Sequence, residues 1–165
     1  MQRPKELLGI YRSMELRPES DIRFVDLYES DTMRSQGTEF LYRLILERHE
    51  EESISFRKPT WEEHVEFVNS RPYWIWFLIV YDGIQAGTIS VTDRNEIGIV
   101  LLKAYCGFGI GTAAIKQLLI EQKPLPEIPS RRSGRFLANI SPKNKVSRHM
   151  FEKLGFVHIQ DTLAL

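Results

Sequence analysis

Between Ile97 and Ala114 the chain reads Ile-Gly-Ile-Val-Leu-Leu-Lys-Ala-Tyr-Cys-Gly-Phe-Gly-Ile-Gly-Thr-Ala-Ala. A strand pattern runs into a glycine-rich turn, and an apolar helix follows. The first backbone N–H groups of a helix lack internal partners and attract anions. Glycines let that backbone approach a phosphate closely, so Gly107, Gly109 and Gly111 suit a pyrophosphate. Three readings of the segment compete. A dinucleotide fold would show G-x-G-x-x-G early in a parallel βαβ unit, with an acid about 20 residues later. Here the spacing is G-x-G-x-G and the strands before it read as a meander. A Walker loop needs a lysine that Gly111-Thr112 lacks. The third reading is a tight turn that packs a helix, the commoner outcome for an isolated G-x-G-x-G.

A second segment changes the balance. Asn144, Ser147 and Phe151 lie on a helical pattern that follows a strand pattern, and Gly155-Phe156 leads from it into the next. Together the two segments resemble the GNAT superfamily of N-acetyltransferases. That family shows (Gln/Arg)-x-x-Gly-x-(Gly/Ala) after its fourth strand. It also shows Asn-x-x-(Ser/Ala)-x-x-x-Tyr, then Gly-Phe, on its last helix. In element order the resemblance covers Asp21 to the C-terminus; its specific residues lie between Glu96 and Phe156.

The resemblance implies acetyl-CoA as acetyl-donor cosubstrate. Leu101 and Leu102 would offer backbone groups to its pantetheine arm. Cys106, Gly107, Phe108, Gly109, Ile110, Gly111 and Thr112 would form the pyrophosphate loop, with the amides from Gly107 to Thr112 as the cradle. Asn144 and Ser147 would contact or orient the arm, with Phe151 beside them. The sheet would splay between the Glu96 strand and the Phe136 strand, with the thioester in the cleft. An amine then attacks the thioester directly. That step needs a neutral amine, a donor for the developing oxyanion and a proton for the leaving thiolate. A backbone N–H at Leu101 or Leu102 would serve the oxyanion, and Glu96 is the candidate general base, directly or through water.

Three positions depart from the family pattern. Cys106 holds the Gln/Arg position, and Phe108 holds one often filled by a basic residue. Phe151 replaces a tyrosine whose hydroxyl commonly protonates the thiolate, which leaves that role unassigned, with water or Tyr105 as the substitutes. The expected acceptor is a primary amine on a small molecule such as an amino-sugar. Pro59-Thr-Trp-Glu-Glu-His64 and Asn95-Glu-Ile-Gly98 look similar to bacterial members that acetylate nucleotide-linked amino-sugars. The alternatives are a protein N-terminal or lysine acetyltransferase, or a non-catalytic acyl-CoA-binding module.

Other reactive residues carry less. His64, His149 and His158 have no metal-ligand spacing, so no metal is expected. Cys106 at a helix N-terminus has no partner base and reads as a spectator. Trp61, Trp74 and Trp76 read as core or cleft-wall aromatics; in the family, the region of Tyr73 and Trp74 borders the acceptor site. Arg131, Arg132 and Arg135 form a solvated loop or contact the CoA 3′-phosphate or an anionic acceptor.

The elements that must position these residues follow from periodicity. Residues 1–20 read as an N-terminal extension, with a short helix from Pro4, and residues 21–165 as a single acetyltransferase domain. A first strand is expected over Asp21–Glu29 and a helix over Thr38–Glu51, ending in the acidic run to Glu52. Thr60 and Glu63 form a capping box for a second helix that Pro72 ends. Trp74–Tyr81, Gln85–Thr92 and Glu96–Leu102 read as an antiparallel meander, with Asp82-Gly83 as a hairpin turn. After the glycine turn come a helix, a strand over Phe136–Ile140, a helix over Pro142–Leu154 and a last strand over Phe156–Leu165. The fold class is α+β: a mixed, mostly antiparallel sheet of about six strands flanked by helices.

Composition excludes several classes. Lys plus Arg and Asp plus Glu are both 22, for a net charge of zero, which argues against a nucleic-acid or anionic-membrane coat. The longest apolar run, Tyr73–Tyr81, is nine residues, where a membrane span needs about 18. One cysteine forbids an intrachain disulfide. Met1–Ile10 lacks a signal-like apolar stretch, so a cytoplasmic location is expected. The expected partners are a small-molecule amine and, at most, a second copy in a homodimer, with no nucleic acid and no membrane.

Overall fold

The computed structural model describes residues 21–48 and 57–163. The N-terminal extension and the end of the acidic run lie outside the described residues. Eight elements follow in order: β1 (Ile22–Asp26), α1 (Asp31–Glu47), α2 (Trp61–Asn69), β2 (Ile75–Tyr81), β3 (Ile84–Val91), β4 (Ile97–Leu101), α3 (Ile110–Glu121) and α4 (Lys145–Lys153). The strands form one antiparallel sheet in the order β1-β2-β3-β4. The expected meander is β2-β3-β4, with β4 at the edge, and β1 adds a strand beside β2.

Side chains on a strand alternate between faces, and the sheet uses both. On one face Ile75, Ile79, Ile89, Val91 and Ile97 pack against Ile110, Ala114, Ile115 and Leu118 of α3. On the other, Trp76 and Leu78 pack with Leu27 against Phe40, Leu41 and Leu44 of α1 and Val68 of α2. Ile110, Ile115 and Leu118 have no exposed surface. Burial of each such side chain is worth about 2 kcal/mol. That is why α3, whose first turn borders the glycine loop, stays fixed on the sheet.

α1 begins at Asp31, seven residues before the expected Thr38. Ser30 caps it, its Oγ accepting the Met33 N–H at 3.1 Å. Gly37 lies inside this helix because a Cβ there would overlap Leu27 Cδ1, so its absence lets α1 approach the sheet. α2 starts where the capping box places it. Thr60 Oγ1 accepts the Glu63 N–H at 3.2 Å, and Glu63 accepts the Thr60 N–H at 2.8 Å.

The strand count differs from the expected six. Among the described residues, Phe136–Ile140 meets the sheet only at a parallel bridge between Glu96 and Leu137. Phe136, Ala138 and Ile140 pack on the α3 core, which explains their alternation, but past Leu137 the segment makes no ladder. The final segment forms no strand either: Val157, Ile159 and Leu163 are exposed, with no neighbouring strand to pair. Alternation marks a segment that can be a strand, but a partner makes it one. No helix among the described residues is long and apolar enough to cross a membrane.

Candidate functional site

β4 is the edge on which the site is built. On its inner side Gly98 pairs with Ser90 and Val100 with Thr88, and Leu102 continues the ladder by donating its N–H to Ala86 O at 2.9 Å. Backbone groups of an antiparallel strand alternate in direction. Ile97, Ile99 and Leu101 therefore point theirs outward. Ile97 N–H donates to Leu137 O at 2.8 Å, and Leu137 N–H returns to Asn95 O at 2.9 Å. Beyond that bridge the two segments part, and the Ile99 and Leu101 N–H groups have no backbone acceptor among the described residues. This is the splay expected between the Glu96 and Phe136 segments, and it closes at the Glu96 end.

The other end of β4 leads through a 3₁₀ turn, Lys103–Tyr105, to the glycine loop. Gly107 and Gly109 adopt φ of 84° and 82°, a conformation that side chains disfavour. Gly109 is the N-cap of α3 and has no side chain to satisfy the first turn. None of the six consecutive N–H groups from Gly107 to Thr112 finds an acceptor among the described residues. The first α3 bond is Ala113 N–H to Gly109 O, at 3.0 Å. Six free donors at a helix N-terminus, beside a strand edge with two more, match the acceptor oxygens of a diphosphate and the amides of an extended arm. The residues present therefore fit acetyl-CoA.

The remaining expected site residues have the following surroundings. Cys106 is exposed, and its thiol leans on Leu102 O at 3.5 Å. Phe108 packs into the α3 core. Gly111 faces α4: a Cβ there would stand 3.1 Å from Met150 Sδ. Asn144 caps α4, its Oδ1 accepting the Ser147 N–H at 3.0 Å. Phe151 is buried and meets Phe156 edge-on, with centroids 5.0 Å apart. Tyr105 packs against Tyr81 near the β2–β3 hairpin, the end of the sheet remote from Glu96.

Glu96 stands at the closed end of the splay. Its carboxylate accepts from Thr92 Oγ1 at 3.0 Å and has no cationic partner among the described residues. From Glu96 to Leu101 a strand spans about 16 Å, so the glycine loop and Glu96 bracket the open edge. Asn95 anchors that end. Fully buried, at φ 66°, it donates from Nδ2 to Leu125 O and Ser133 O and accepts from Leu125 N–H. Two arginines of the basic loop reinforce the same anchor. Arg131 pairs with the Asp93 carboxylate at 3.2 Å and Arg132 donates to Asp93 O at 2.9 Å.

Sequence reasoning missed Ile99 and Asn95. Strand alternation was available: Leu101 and Leu102 are neighbours, so their N–H groups cannot both face the cleft. Of the two alternatives, Leu102 N–H is spent on Ala86 O, which leaves Leu101, and Ile99 is a second N–H without a backbone acceptor among the described residues. Nothing local marked Asn95, whose partners lie at least 30 residues away.

The aromatics divide. Trp76 is core, donating from Nε1 to Thr88 Oγ1 at 2.9 Å, with Tyr73 and Phe67 edge-on against it. Burial pushes the Tyr73 phenol pKa up. Trp74 and Trp61 remain partly exposed. A cavity of about 230 Å³ opens beside Tyr28, Arg71 and Trp74, but it belongs to the β1–β2 side of the sheet. β2 lies two strand spacings, about 10 Å, from β4.

Sheet order, splayed edge and glycine cradle define an acyl-CoA transferase fold, and comparison with known proteins agrees. The family model for the acetyltransferase (GNAT) domain matches residues 16–157. The chain belongs to the GNAT acetyltransferase family: it is an N-acetyltransferase with acetyl-CoA as its donor. No curated protein matches it. Among solved structures, it is similar to yncA from Salmonella typhimurium with its cofactor acetyl-CoA, at 21% identity and TM-score 0.55, covering 83% of this chain and 79% of that one. The aminoglycoside N-acetyltransferase AAC(6')-Iy in complex with CoA gives 16% identity and TM-score 0.57, over 91% and 97%. The Vibrio cholerae spermidine/spermine N-acetyltransferase SpeG gives 15% identity and TM-score 0.57, over 86% and 81%. At such identities the shared property is the fold.

Proposed function

We propose that this chain, as one domain from residue 21 onward, acetylates a primary amine on a small molecule, with the donor held along the open β4 edge. The observation that carries this is the continuity of free donors: Ile99 and Leu101 on the strand, then Gly107 to Thr112 on the loop and helix. Bound there, acetyl-CoA supplies a thioester open to attack by an amine. The amides from Gly107 to Thr112 hold the diphosphate. Leu101 pairs with the pantetheine arm as a neighbouring strand would. Ile99 N–H, the free donor nearer Glu96, stabilises the negative charge that develops on the carbonyl oxygen. Asn144 holds the α4 N-terminus in place, and Ser147 and Phe151 line that side of the arm.

Glu96 holds the incoming ammonium at the closed end and relays its proton to water. Phe151 has no proton to give, so the leaving sulfur takes one from solvent. The small-molecule part of the reading is supported by Glu96, an accessible carboxylate without a cationic partner. It is also supported by structural relatives whose names specify aminoglycoside and spermidine acceptors.

Calorimetry with acetyl-CoA, followed by thiol release on adding amines, tests the reading. Binding with release in the presence of glucosamine, an aminoglycoside or spermidine is the expected result. Release only with a lysine-containing peptide would move the acceptor to proteins. Binding with no release from any amine would make the chain a non-catalytic acyl-CoA module.

A further inference from the structure

The cavity of about 230 Å³ lies where β1 ends and β2 begins, beside the C-terminus of α2. β1 is the edge of the sheet opposite the β4 splay. Sites for drug-sized ligands run to roughly 300–1,000 Å³, so this one suits a molecule of amino-acid size.

Arg71 lines the cavity at a conformational cost. It is the first residue past the Ser70 C-cap of α2, and its φ is 50°. Glycine is the usual residue there, because a Cβ disfavours the left-handed region. The guanidinium lies over the Tyr28 ring at 4.6 Å and has no ion pair and no hydrogen bond among the described residues. The Tyr28 hydroxyl donates to Val68 O at 2.8 Å, so the ring beneath Arg71 is itself tied to α2. Strained residues gather at ligand sites, and this one carries an unused charge.

The rest of the lining is one carboxylate and a set of rings. Asp26 accepts the Tyr28 N–H on Oδ1 at 2.8 Å and forms no ion pair among the described residues, with Arg71 included. Tyr28 and Tyr73 meet Trp76 edge-on, and Phe77 stacks on Phe24. Trp74 differs. It is 38% exposed, meets no other ring among the described residues, and its indole N–H has no acceptor there. The charges that act on the two phenols are Arg71, Arg34, Arg48 and Asp26. Of these, Arg34 is paired with Asp31 at 2.8 Å.

We propose that this cavity is a second binding site, for a free aromatic α-amino acid, separate from the donor edge at β4. The carboxylate takes the Arg71 fork, the ammonium takes the second oxygen of Asp26, and the ring lies on Trp74. A zwitterion balances both unpaired charges. A plain carboxylate leaves Asp26 repelling it, and a plain ammonium faces Arg71 with nothing to offset it. The site needs no CoA, so the proposal stands or falls apart from the acetyltransferase reading.

Calorimetry on the full-length protein, with and without saturating CoA, tests this with four probes. L-Phenylalanine carries both charges and the ring. 3-Phenylpropionate lacks the ammonium, phenethylamine lacks the carboxylate and L-alanine lacks the ring. L-Phenylalanine is expected to bind at least about ten-fold more tightly than each of the others, the effect of one charge-assisted hydrogen bond or one stacked ring. CoA should leave its affinity unchanged. Asp26→Asn keeps the acceptor for the Tyr28 N–H; it should weaken L-phenylalanine about ten-fold and leave 3-phenylpropionate no weaker. Arg71→Gly relieves the backbone, so the thermal midpoint should hold while L-phenylalanine weakens at least about ten-fold and phenethylamine does not. A midpoint that falls in step with affinity would give Arg71 a purely structural role and overturn the proposal. Equal affinity of L-phenylalanine and any other probe overturns it, as does competition with CoA. No binding of L-phenylalanine at about 10 mM, well above a millimolar Kd, overturns it too and leaves the acetyl-CoA reading standing.

Discussion

The two faces of the sheet work with different atoms. On the α3 side the groups facing the cleft are backbone N–H, and the side chains of that helix are spent on the core: Ile110, Ala114, Ile115 and Leu118 are fully buried. On the α1–α2 side the backbone is satisfied, and the proposed reading gives the chemistry to side chains: Glu96 with Thr92, beside the partly exposed Trp74. A backbone site tolerates exchange of its side chains, so Cys106 and Phe108 can replace the family's Gln/Arg and basic residue without removing a donor. A side-chain site can change its substrate without disturbing the fold. In the proposed reading, donor binding and acceptor choice are thereby separable on one sheet.

The hardest blow to the backbone side is Gly109→Val. Gly109 sits at φ 82° and ψ −3°, where a β-branched residue is strained, and the new side chain projects from the N-cap of α3. Loss of two charge-assisted hydrogen bonds at about 1.5 kcal/mol each lowers CoA affinity about 100-fold. Cys106→Ala, three residues earlier and without a backbone consequence, should leave the affinity unchanged. Calorimetry on folded variants reads both, and equal behaviour of the two would dissolve the contrast.

Glu96→Gln strikes the other side. An amine of lysine-like pKa, about 10.4, is largely protonated at neutral pH and must lose its proton before attack. Removing the carboxylate should cost about ten-fold in kcat/KM near neutrality, within the usual range of acid–base contributions. The deficit should shrink towards pH 10, where the amine is already neutral. CoA affinity should not move, because the donor groups lie further along β4. A parallel loss of CoA affinity would mean that Glu96 shapes the splay rather than handling the proton.

This division also explains what could be read from the chain in advance. The glycine loop was legible because its geometry is local: φ at Gly109 is settled within a few residues, whereas Asn144 was read only as a contact to the arm and its capping of α4 came from the structure. The capping box at Thr60 and Glu63 and the hairpin at Asp82-Gly83 were legible for the same reason. α1 began too late in the reading because Gly37 argues locally against a helix, and only the packing of Leu27 explains it. The two absent strands failed on pairing, a property of two segments. Asn95 and the pairing of Ser90 with Gly98 depend on register across the sheet. Nothing in their neighbourhood signals it.

Thr60→Ala tests whether the α1–α2 side depends on its helix caps. Loss of the cap costs about 1 kcal/mol. In a chain of this size that lowers the thermal midpoint by about 2–4 °C. α2 carries Phe67, which packs edge-on against Trp76 at 5.9 Å, so fraying of its first turn should raise the amine KM modestly. CoA affinity should hold. If it falls in step with stability, the two faces are energetically one unit.

The smallest effect is expected from His64, which couples the α1–α2 layer to pH. The ring is 1% exposed, and its Nε2 lies 2.9 Å from Thr38 O, to which it donates in the neutral form. Nδ1 has no hydrogen-bond partner among the described residues, and the rings of Tyr42 and Trp61 stand 5.3 and 6.1 Å away. Burial therefore holds the pKa below its ordinary value of 6.5, outweighing the Thr38 contact that favours the charged form. For a base whose folded pKa is depressed, the unfolded chain binds the proton more readily. Stability is thus fully present above 6.5 and declines as the pH falls through 6.5 towards the folded value. Thermal midpoints of the wild type and His64→Gln between about pH 5 and 8 read this directly. The wild type should lose stability on the acid side more steeply than the variant, whatever their difference at pH 8. Because the loss falls on the α1–α2 layer, amine KM should rise on acidification before CoA affinity changes. Parallel stability curves would remove His64 as the source of acid sensitivity and leave Glu63, whose carboxyl the Arg57 guanidinium holds below its usual range, as the next group to test.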